Sequence, residues 1–109
     1  MYSKKVLEHF LHPQNVGTIE HADGFGKAGG GSRCPEDLAY VWIRVVDERI
    51  VEIRHKTLGC PVAISSSSVA TAMVKGRTLT EALQITPREV IEALGGIPER
   101  KTDSIVVLD

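Results

Sequence analysis

The sequence predicts an α+β fold, in which helices and a short antiparallel β-hairpin occupy separate segments of one domain. Three observations predict it: the length of 109 residues, two adjacent β-branched segments near the centre, and apolar residues at helical spacing on both sides of them. A chain of this length can bury a single hydrophobic core without cross-links. We therefore expect one domain over residues 1–109, with no need for disulfides.

Composition and charge exclude several classes of protein. The chain has 13 Lys and Arg against 14 Asp and Glu, a formal net charge of −1, and no basic run that would track a phosphate backbone. Its apolar stretches are too short to span a bilayer, and residues 1–5 do not continue into the apolar core of a secretory leader. We expect a cytoplasmic protein that binds neither nucleic acid nor membranes.

Three of the predicted helices follow from local signals. Ser3 is an N-cap candidate before apolar residues at helical spacing, and Pro13 ends that first helix. Residues 78–83 are typical of one further short helix. Residues 86–89 fit a capping box with proline at the first helical position, and Gly95 stops the helix that this box begins.

The longest predicted helix carries a cysteine at its start. Pro61 suits the first helical position, where its missing N–H costs nothing, so Cys60 becomes the N-cap residue, and Gly76 closes the helix. Unpaired amides and the positive end of the helix dipole stabilise a thiolate, so Cys60 is expected to deprotonate more easily than a free cysteine. The serines at 65–68 lack the flanking glycines of a catalytic nucleophile and indicate close helix packing instead.

The centre of the chain predicts a β-hairpin. Residues 40–46 and 50–57 are rich in β-branched side chains, partly alternate, and are separated by a short polar turn. We expect Val51, Ile53 and His55 to face the core. A histidine at the end of such a strand is more often a packing residue than a metal ligand.

A glycine-rich segment precedes the hairpin. Residues 22–31 hold half of the chain's 10 glycines, which predicts a flexible loop. This loop leads into Cys34, Glu36 and Asp37, and would present a thiol and two carboxylates at a position where functional residues often lie. A plain linker is the alternative interpretation.

The strongest candidate site combines Cys34, Cys60, the carboxylates of Glu36 and Asp37, and the imidazole of His55. Soft thiolates select iron, zinc or copper(I), and a carboxylate or imidazole can complete the coordination shell. Two thiolates do not fill a tetrahedral zinc site, and the sequence has no C-x-x-C pair, so a zinc finger is not expected. The alternative is that both cysteines are small buried hydrophobic residues.

These motifs resemble those of the IscU/NifU-type iron–sulfur cluster assembly scaffold, the NifU N-terminal domain. The most specific piece is Lys56-Thr57-Leu58-Gly59-Cys60 followed by Ala63-Ile64-Ser65-Ser66-Ser67. The similarity runs in order over nearly the whole chain. It also includes Tyr2-Ser3, Val6, His9, Pro13, Asn15-Val16-Gly17, the glycine segment ending in Cys34, and Val74-Lys75-Gly76.

The resemblance implies a small α+β domain in which a short antiparallel sheet is backed by several helices, with cysteines and an aspartate at one exposed end. It implies that iron, and sulfide from a cysteine desulfurase, form a labile cluster there that passes to acceptor proteins. Cys34 and Cys60 match the first two family cysteines. The family's aspartate follows the first cysteine by two residues, so strict spacing indicates Glu36. One inserted residue indicates Asp37 instead and keeps the following strand in register, and we favour Asp37.

The sequence departs from the family in its last segment. When the family pattern is aligned on Ile97-Pro98 and Lys101, its His-Cys pair, which holds the third cysteine, falls on Asp103-Ser104. The chaperone-recognition motif of the family is degraded in this sequence. Asp103 partly compensates as a carboxylate, although a solvated turn is an equally good interpretation. A cluster held by two thiolates and carboxylates would be weaker and more exposed, and the same ligands could hold zinc in the apo form. The family continues into a long helix beyond Leu108, whereas this sequence ends at Asp109.

The sequence therefore favours a scaffold or carrier for iron–sulfur clusters that is not an enzyme, with Cys34, Asp37, Cys60 and Asp103 as candidate ligands. One alternative is a thiol sulfur-transfer protein in which Cys60 accepts persulfide sulfur. The other is a degenerate domain that only binds and regulates the assembly machinery.

Overall fold

The computed structural model describes residues 3–31 and 34–95, with the side chains of residues 29–36 excepted. Helices and strands occupy separate segments of this part of the chain, which confirms the α+β class. In chain order the elements are α1 (Lys4–Leu11), β1 (Gly24–Gly31), β2 (Cys34–Val46), β3 (Arg49–Leu58), α2 (Pro61–Val74), α3 (Leu79–Leu83) and α4 (Pro87–Ala93).

The strands form one antiparallel sheet in the order β1-β2-β3. β2 and β3 are the predicted hairpin, which is confirmed, although β2 begins at Cys34 and so is longer than predicted. Asp47 and Glu48 make the tight turn with φ angles of 51° and 64°, in the left-handed region that few non-glycine residues adopt.

The prediction of a flexible glycine loop over residues 22–31 is wrong. Most of this segment is β1, which pairs with β2 from Gly24 to Gly31 with one register shift between Gly29 and Gly31. Glycine has a low strand propensity, but β2 offers its backbone a continuous row of hydrogen-bond partners. Glycine also allows close packing here, because a Cβ at Gly24 would lie 2.9 Å from Ile43 Cγ1. Tertiary pairing therefore overrides the local preference.

Alternation along the strands gives the sheet two faces. The inner face packs against α2 and α3 in a cluster formed by Val41, Ile50, Ile53, Val74 and Ala82. The outer face carries Phe25 and Lys27 of β1, Tyr40 and Trp42 of β2, and Arg54 and Lys56 of β3. The helices thus cover the part of the inner face that β2 and β3 form.

Val51 does not lie in the core, which corrects the prediction for this residue. Its side chain is 46% exposed, whereas Ile50 is buried. A register shift in the pairing of β2 with β3 explains why Ile50 and not Val51 is buried. Arg44 pairs with Glu52, but the next residue, Val45, pairs with Ile50. The shift leaves Val51 as the extra residue of a bulge. Ile53 and His55 beyond the bulge are buried, as predicted.

The predicted helix starts are confirmed by their caps. Ser3 Oγ accepts the Val6 N–H at 3.1 Å at the start of α1. Thr78 and Thr86 each form a capping box with the glutamate three residues later, at the starts of α3 and α4. The apolar faces of α1, α2 and α4 meet in a second cluster made of Val6, Val69, Ala70, Val90 and Leu94.

The serines at 65–68 are all buried, which confirms their predicted packing role. Ser65 Oγ lies 2.7 Å from the carbonyl oxygen of Val6 in α1, and Ser67 Oγ donates to Ala63 O at 3.0 Å. Ser68 Oγ accepts the Gln14 N–H at 2.8 Å. Small side chains with satisfied hydroxyls therefore let α2 lie close to α1 and to the segment that follows it.

Candidate functional site

The candidate site lies where β2 begins and β3 ends. Leu38 of β2 pairs with Leu58 of β3 at this end of the ladder. Asp37 precedes Leu38 by one residue and lies on the inner face, while Cys60 follows Leu58 by two residues at the start of α2. Antiparallel pairing thus brings together a carboxylate and a thiol that are distant in the sequence.

Asp37 and Cys60 are in direct contact. Asp37 Oδ1 accepts the Cys60 N–H at 3.1 Å, and Asp37 Oδ2 lies 3.6 Å from Cys60 Sγ. The Asp37 side chain is 7% exposed, and Cys60 is half-buried. One carboxylate oxygen therefore holds the backbone, while the other lies beside the sulfur.

The N-terminus of α2 contributes to this arrangement. Cys60 is the N-cap residue and Pro61 occupies the first turn, as predicted, and the cysteine side chain makes no cap hydrogen bond of its own. Asp37 supplies a negative charge at this helix end from another part of the chain, where backbone amides and the helix dipole stabilise it. The burial of the Asp37 carboxylate thus has a structural explanation.

Gly59 makes the contact sterically possible, a role that its place in the family motif does not by itself indicate. Its φ angle is +146°, a region that side chains rarely adopt, and a Cβ there would lie 2.8 Å from Asp37 Cγ and 3.2 Å from Ala63 Cβ. Only glycine fits this position without displacing the carboxylate. The available signal was a glycine between a strand end and a proline-initiated helix.

The other predicted ligands, Cys34, Glu36 and Asp103, lie outside the side chains that the structure describes. The Cys34 backbone lies in β2 opposite Gly31, but the side chains of Cys34 and Glu36 are outside the described set, and Asp103 is outside the described residues altogether. Among the side chains that are described, no group of three or more His, Cys, Asp and Glu residues is arranged to hold a metal ion.

His55 is a packing residue, as the sequence favoured. It is 1% exposed, its Nε2 lies 2.8 Å from Gln14 O, and its Nδ1 lies 2.9 Å from Thr57 Oγ1. Because a carbonyl only accepts, Nε2 carries the hydrogen and Nδ1 accepts from the hydroxyl. Burial lowers the pKa of His55, and the hydrogen bond to Gln14 opposes this effect.

His9 has a similar packing role. Its Nδ1 lies 2.7 Å from Ser68 Oγ of α2, and burial is the main cause that lowers its pKa. Both histidines thus stabilise contacts between elements, and neither contributes to the Asp37–Cys60 pair.

The fold and the site define a small α+β domain that pairs a thiol with a carboxylate at one end of its sheet. A family model described as the NifU-like N terminal domain matches residues 1–109. The chain belongs to this family.

Named relatives agree with this membership. The iron-sulfur cluster assembly scaffold protein IscU 1 of Archaeoglobus fulgidus is 52% identical over 101 residues, which cover 93% of this chain and 65% of that protein. The iron-sulfur cluster assembly scaffold protein IscU of Escherichia coli is 39% identical over 110 residues, which cover 99% of this chain and 86% of that protein. The chain thus spans about two thirds of the length of the first relative and most of that of the second.

A solved structure agrees with the fold. The N-terminal part of a nitrogen-fixing NifU-like protein from Brucella abortus matches with a TM-score of 0.68 at 20% identity, over 93% of this chain and 71% of that one.

None of the helices in the described part of the chain has the length and hydropathy needed to traverse a lipid bilayer.

Proposed function

We propose that this protein is a scaffold or carrier on which an iron–sulfur cluster is assembled and from which it passes to acceptor proteins. The contact between Asp37 and Cys60 is the observation that carries the proposal. Family membership and the names of the relatives support it. In this proposal the protein is not an enzyme, a cysteine desulfurase supplies the sulfur, and a reducing compartment such as the cytoplasm keeps the thiols reduced.

Cys34, Asp37 and Cys60 are the proposed ligands, with Asp103 in place of the family's third thiol. A carboxylate oxygen beside a sulfur is a donor pair that suits iron or zinc. In the metal-free protein the Cys60 thiol is the donor toward Asp37 Oδ2 at 3.6 Å, and a cation bound by both groups would replace the thiol proton. Since Asp37 Oδ1 already accepts the Cys60 N–H, Asp37 would bind metal through Oδ2 alone.

Anaerobic reconstitution with ferrous iron and sulfide tests the cluster function. We expect the wild type to gain iron, acid-labile sulfide and visible absorbance, and Cys34→Ser and Cys60→Ser each to lose most of them, because a hydroxyl is a far weaker iron ligand than a thiolate. Circular dichroism and urea unfolding check that both variants remain folded.

A wild type without sulfide-dependent absorbance would exclude the scaffold function. Absorbance that persists in both serine variants would exclude the proposed thiol ligands. Persulfide added to Cys60 by a desulfurase in the absence of iron would favour sulfur transfer instead.

Zinc binding by the metal-free protein tests the role of Asp37. Asp37→Asn keeps an oxygen that can accept the Cys60 N–H but removes the charge, so we expect zinc affinity to fall by at least about tenfold. Asp47→Asn is the matched control, since Asp47 lies at the opposite end of the hairpin and its φ of 51° also suits asparagine. Isothermal titration calorimetry measures the zinc affinity of both variants. Equal zinc affinities would show that Asp37 is not a ligand.

A further inference from the structure

The outer face of the sheet carries an aromatic cluster. Phe25 stacks on Tyr40 with ring centroids 6.2 Å apart and an angle of 22° between the planes. It also contacts Trp42, the only tryptophan in the chain, with centroids 5.3 Å apart. The Phe25 ring is nevertheless 61% exposed. A large apolar ring that protrudes from a sheet among other rings is typical of an interaction site.

Positive charge surrounds this cluster. Lys27 Nζ lies 5.8 Å from the centroid of the Tyr40 ring, and the exposed Lys56 pairs across the strands with Tyr40. Arg44 and Arg54 lie 3.1 Å and 3.5 Å from Glu52, the acidic residue among them. Among the described side chains of the three strands, this face therefore carries more cations than carboxylates, although the whole chain has a net charge of −1.

The outer face extends to the candidate site. Leu58 follows Lys56 on the same face of β3 and is 64% exposed. Cys60 comes two residues later. A partner that covers the aromatic cluster and Leu58 would therefore reach the end of the sheet at which Cys60 lies.

We infer that the outer face is the docking surface for a cluster acceptor protein that presents an acidic surface with an apolar side chain at its centre. The inference rests on the proposed function, which makes an acceptor necessary. The cationic rim selects an acidic partner and speeds its approach, and the Phe25 ring offers the apolar anchor. The cluster moves as an intact unit: acceptor thiolates replace the scaffold thiolates on iron, protons exchange between the two sets of sulfurs, and no electron is transferred.

A protein partner fits these observations better than a single-stranded nucleic acid. Base stacking needs open ring faces, whereas Tyr40 has Phe25 on its ring and Lys27 beside it.

Titration of the metal-free chain with the apo form of an acidic, tryptophan-free [2Fe–2S] ferredoxin tests the docking surface. Trp42 fluorescence reports binding directly, because the chain has no other tryptophan. We expect saturable binding that weakens with added salt, and a loss of at least about tenfold in affinity for the double variant Phe25→Ser/Lys27→Glu. The double variant Leu11→Ser/Lys4→Glu on exposed positions of α1 is the matched control and should bind as the wild type does.

The same variants separate this inference from the proposed function. Phe25→Ser/Lys27→Glu should take up iron and sulfide normally but transfer the cluster to the ferredoxin at least about tenfold more slowly. Equal affinity and equal transfer rates for the two double variants would overturn the docking surface while leaving the scaffold function intact. Quenching of Trp42 by a dT12 oligonucleotide at physiological salt, with no response to the ferredoxin, would overturn it in favour of nucleic acid.

Discussion

At the scale of single residues, Gly59 decides whether the thiol and the carboxylate can meet. Its positive φ and the proximity of the Asp37 carboxyl leave no space for a side chain. We expect Gly59→Ala to lower the free energy of unfolding by roughly 1–3 kcal/mol, because the backbone is strained and the carboxylate is displaced from the Cys60 N–H. Urea unfolding measures the loss.

Gly26→Ala is the control for this prediction. A Cβ at Gly26 meets no atom within 4 Å, and alanine loses less conformational entropy than glycine on folding, so its stability should equal or exceed that of the wild type. If Gly59→Ala unfolded at the same urea concentration as Gly26→Ala, the steric account of the site would be wrong.

The sequence predicts that Cys60 and Asp37 belong to one site, but not the hydrogen bonds that join them. Cys60 was placed at the N-cap by Pro61, which is a local signal. Asp37 was favoured over Glu36 through the family resemblance, and its burial beside Cys60 depends on the pairing of Leu38 with Leu58, which no local pattern specifies. The requirement for glycine at position 59 arises from that same long-range contact and was therefore missed.

At the scale of elements, the accuracy of the sequence predictions follows the range of the interactions. The starts of α1, α3 and α4 are set by caps that join residues three apart; all three helices are predicted from the sequence, and the caps of α1 and α4 with them. β1 was missed because its glycines indicate a loop until β2 supplies hydrogen-bond partners. Val51 was misplaced because a bulge changes which residues of β3 face the core.

The buried serines of α2 show how an element can be positioned by hydrogen bonds inside an apolar interface. Ser65 Oγ hydrogen-bonds to the carbonyl oxygens of Val6 and Pro61. Ser68 Oγ hydrogen-bonds to the backbone N–H of Gln14 and to Nδ1 of His9. Since Cys60 is the N-cap residue of α2, these contacts also fix the position of the thiol. The serine segment thus positions the site without contributing a ligand to it.

At the scale of the whole molecule, His55 joins the sheet to the segment after α1. Its ring is bonded to Gln14 O, and the backbone of the same residue exchanges hydrogen bonds with neighbours in that segment, because His55 N donates to Asn15 O at 2.8 Å and His55 O accepts from Gly17 N at 2.9 Å. Protonation of the buried ring would cost the folded state the acceptor that Thr57 uses.

The lowered pKa of His55 predicts how stability depends on pH. The unfolded chain binds this proton at an ordinary histidine pKa of about 6.5, whereas the folded chain binds it only at lower pH. The contribution of His55 to the free energy of unfolding is therefore complete above the pKa of the unfolded chain. It decreases as the pH falls from that pKa towards the lower pKa of the folded chain. His9, whose pKa is also lowered by burial, adds to the same trend.

Urea unfolding of the wild type between pH 7.5 and 5 should show this decrease, amounting to about 1.4 kcal/mol for each pH unit by which the folded pKa lies below the unfolded one. His55→Asn should be less stable at pH 7.5, because the two ring hydrogen bonds are lost, but its stability should change less with pH. His12→Gln, at an exposed position at the end of α1, should keep the wild-type pH dependence. If the stability of His55→Asn depended on pH as strongly as that of the wild type, other groups would cause the dependence. If NMR showed the His55 ring titrating at the ordinary histidine pKa, the ring would not be buried in its neutral form.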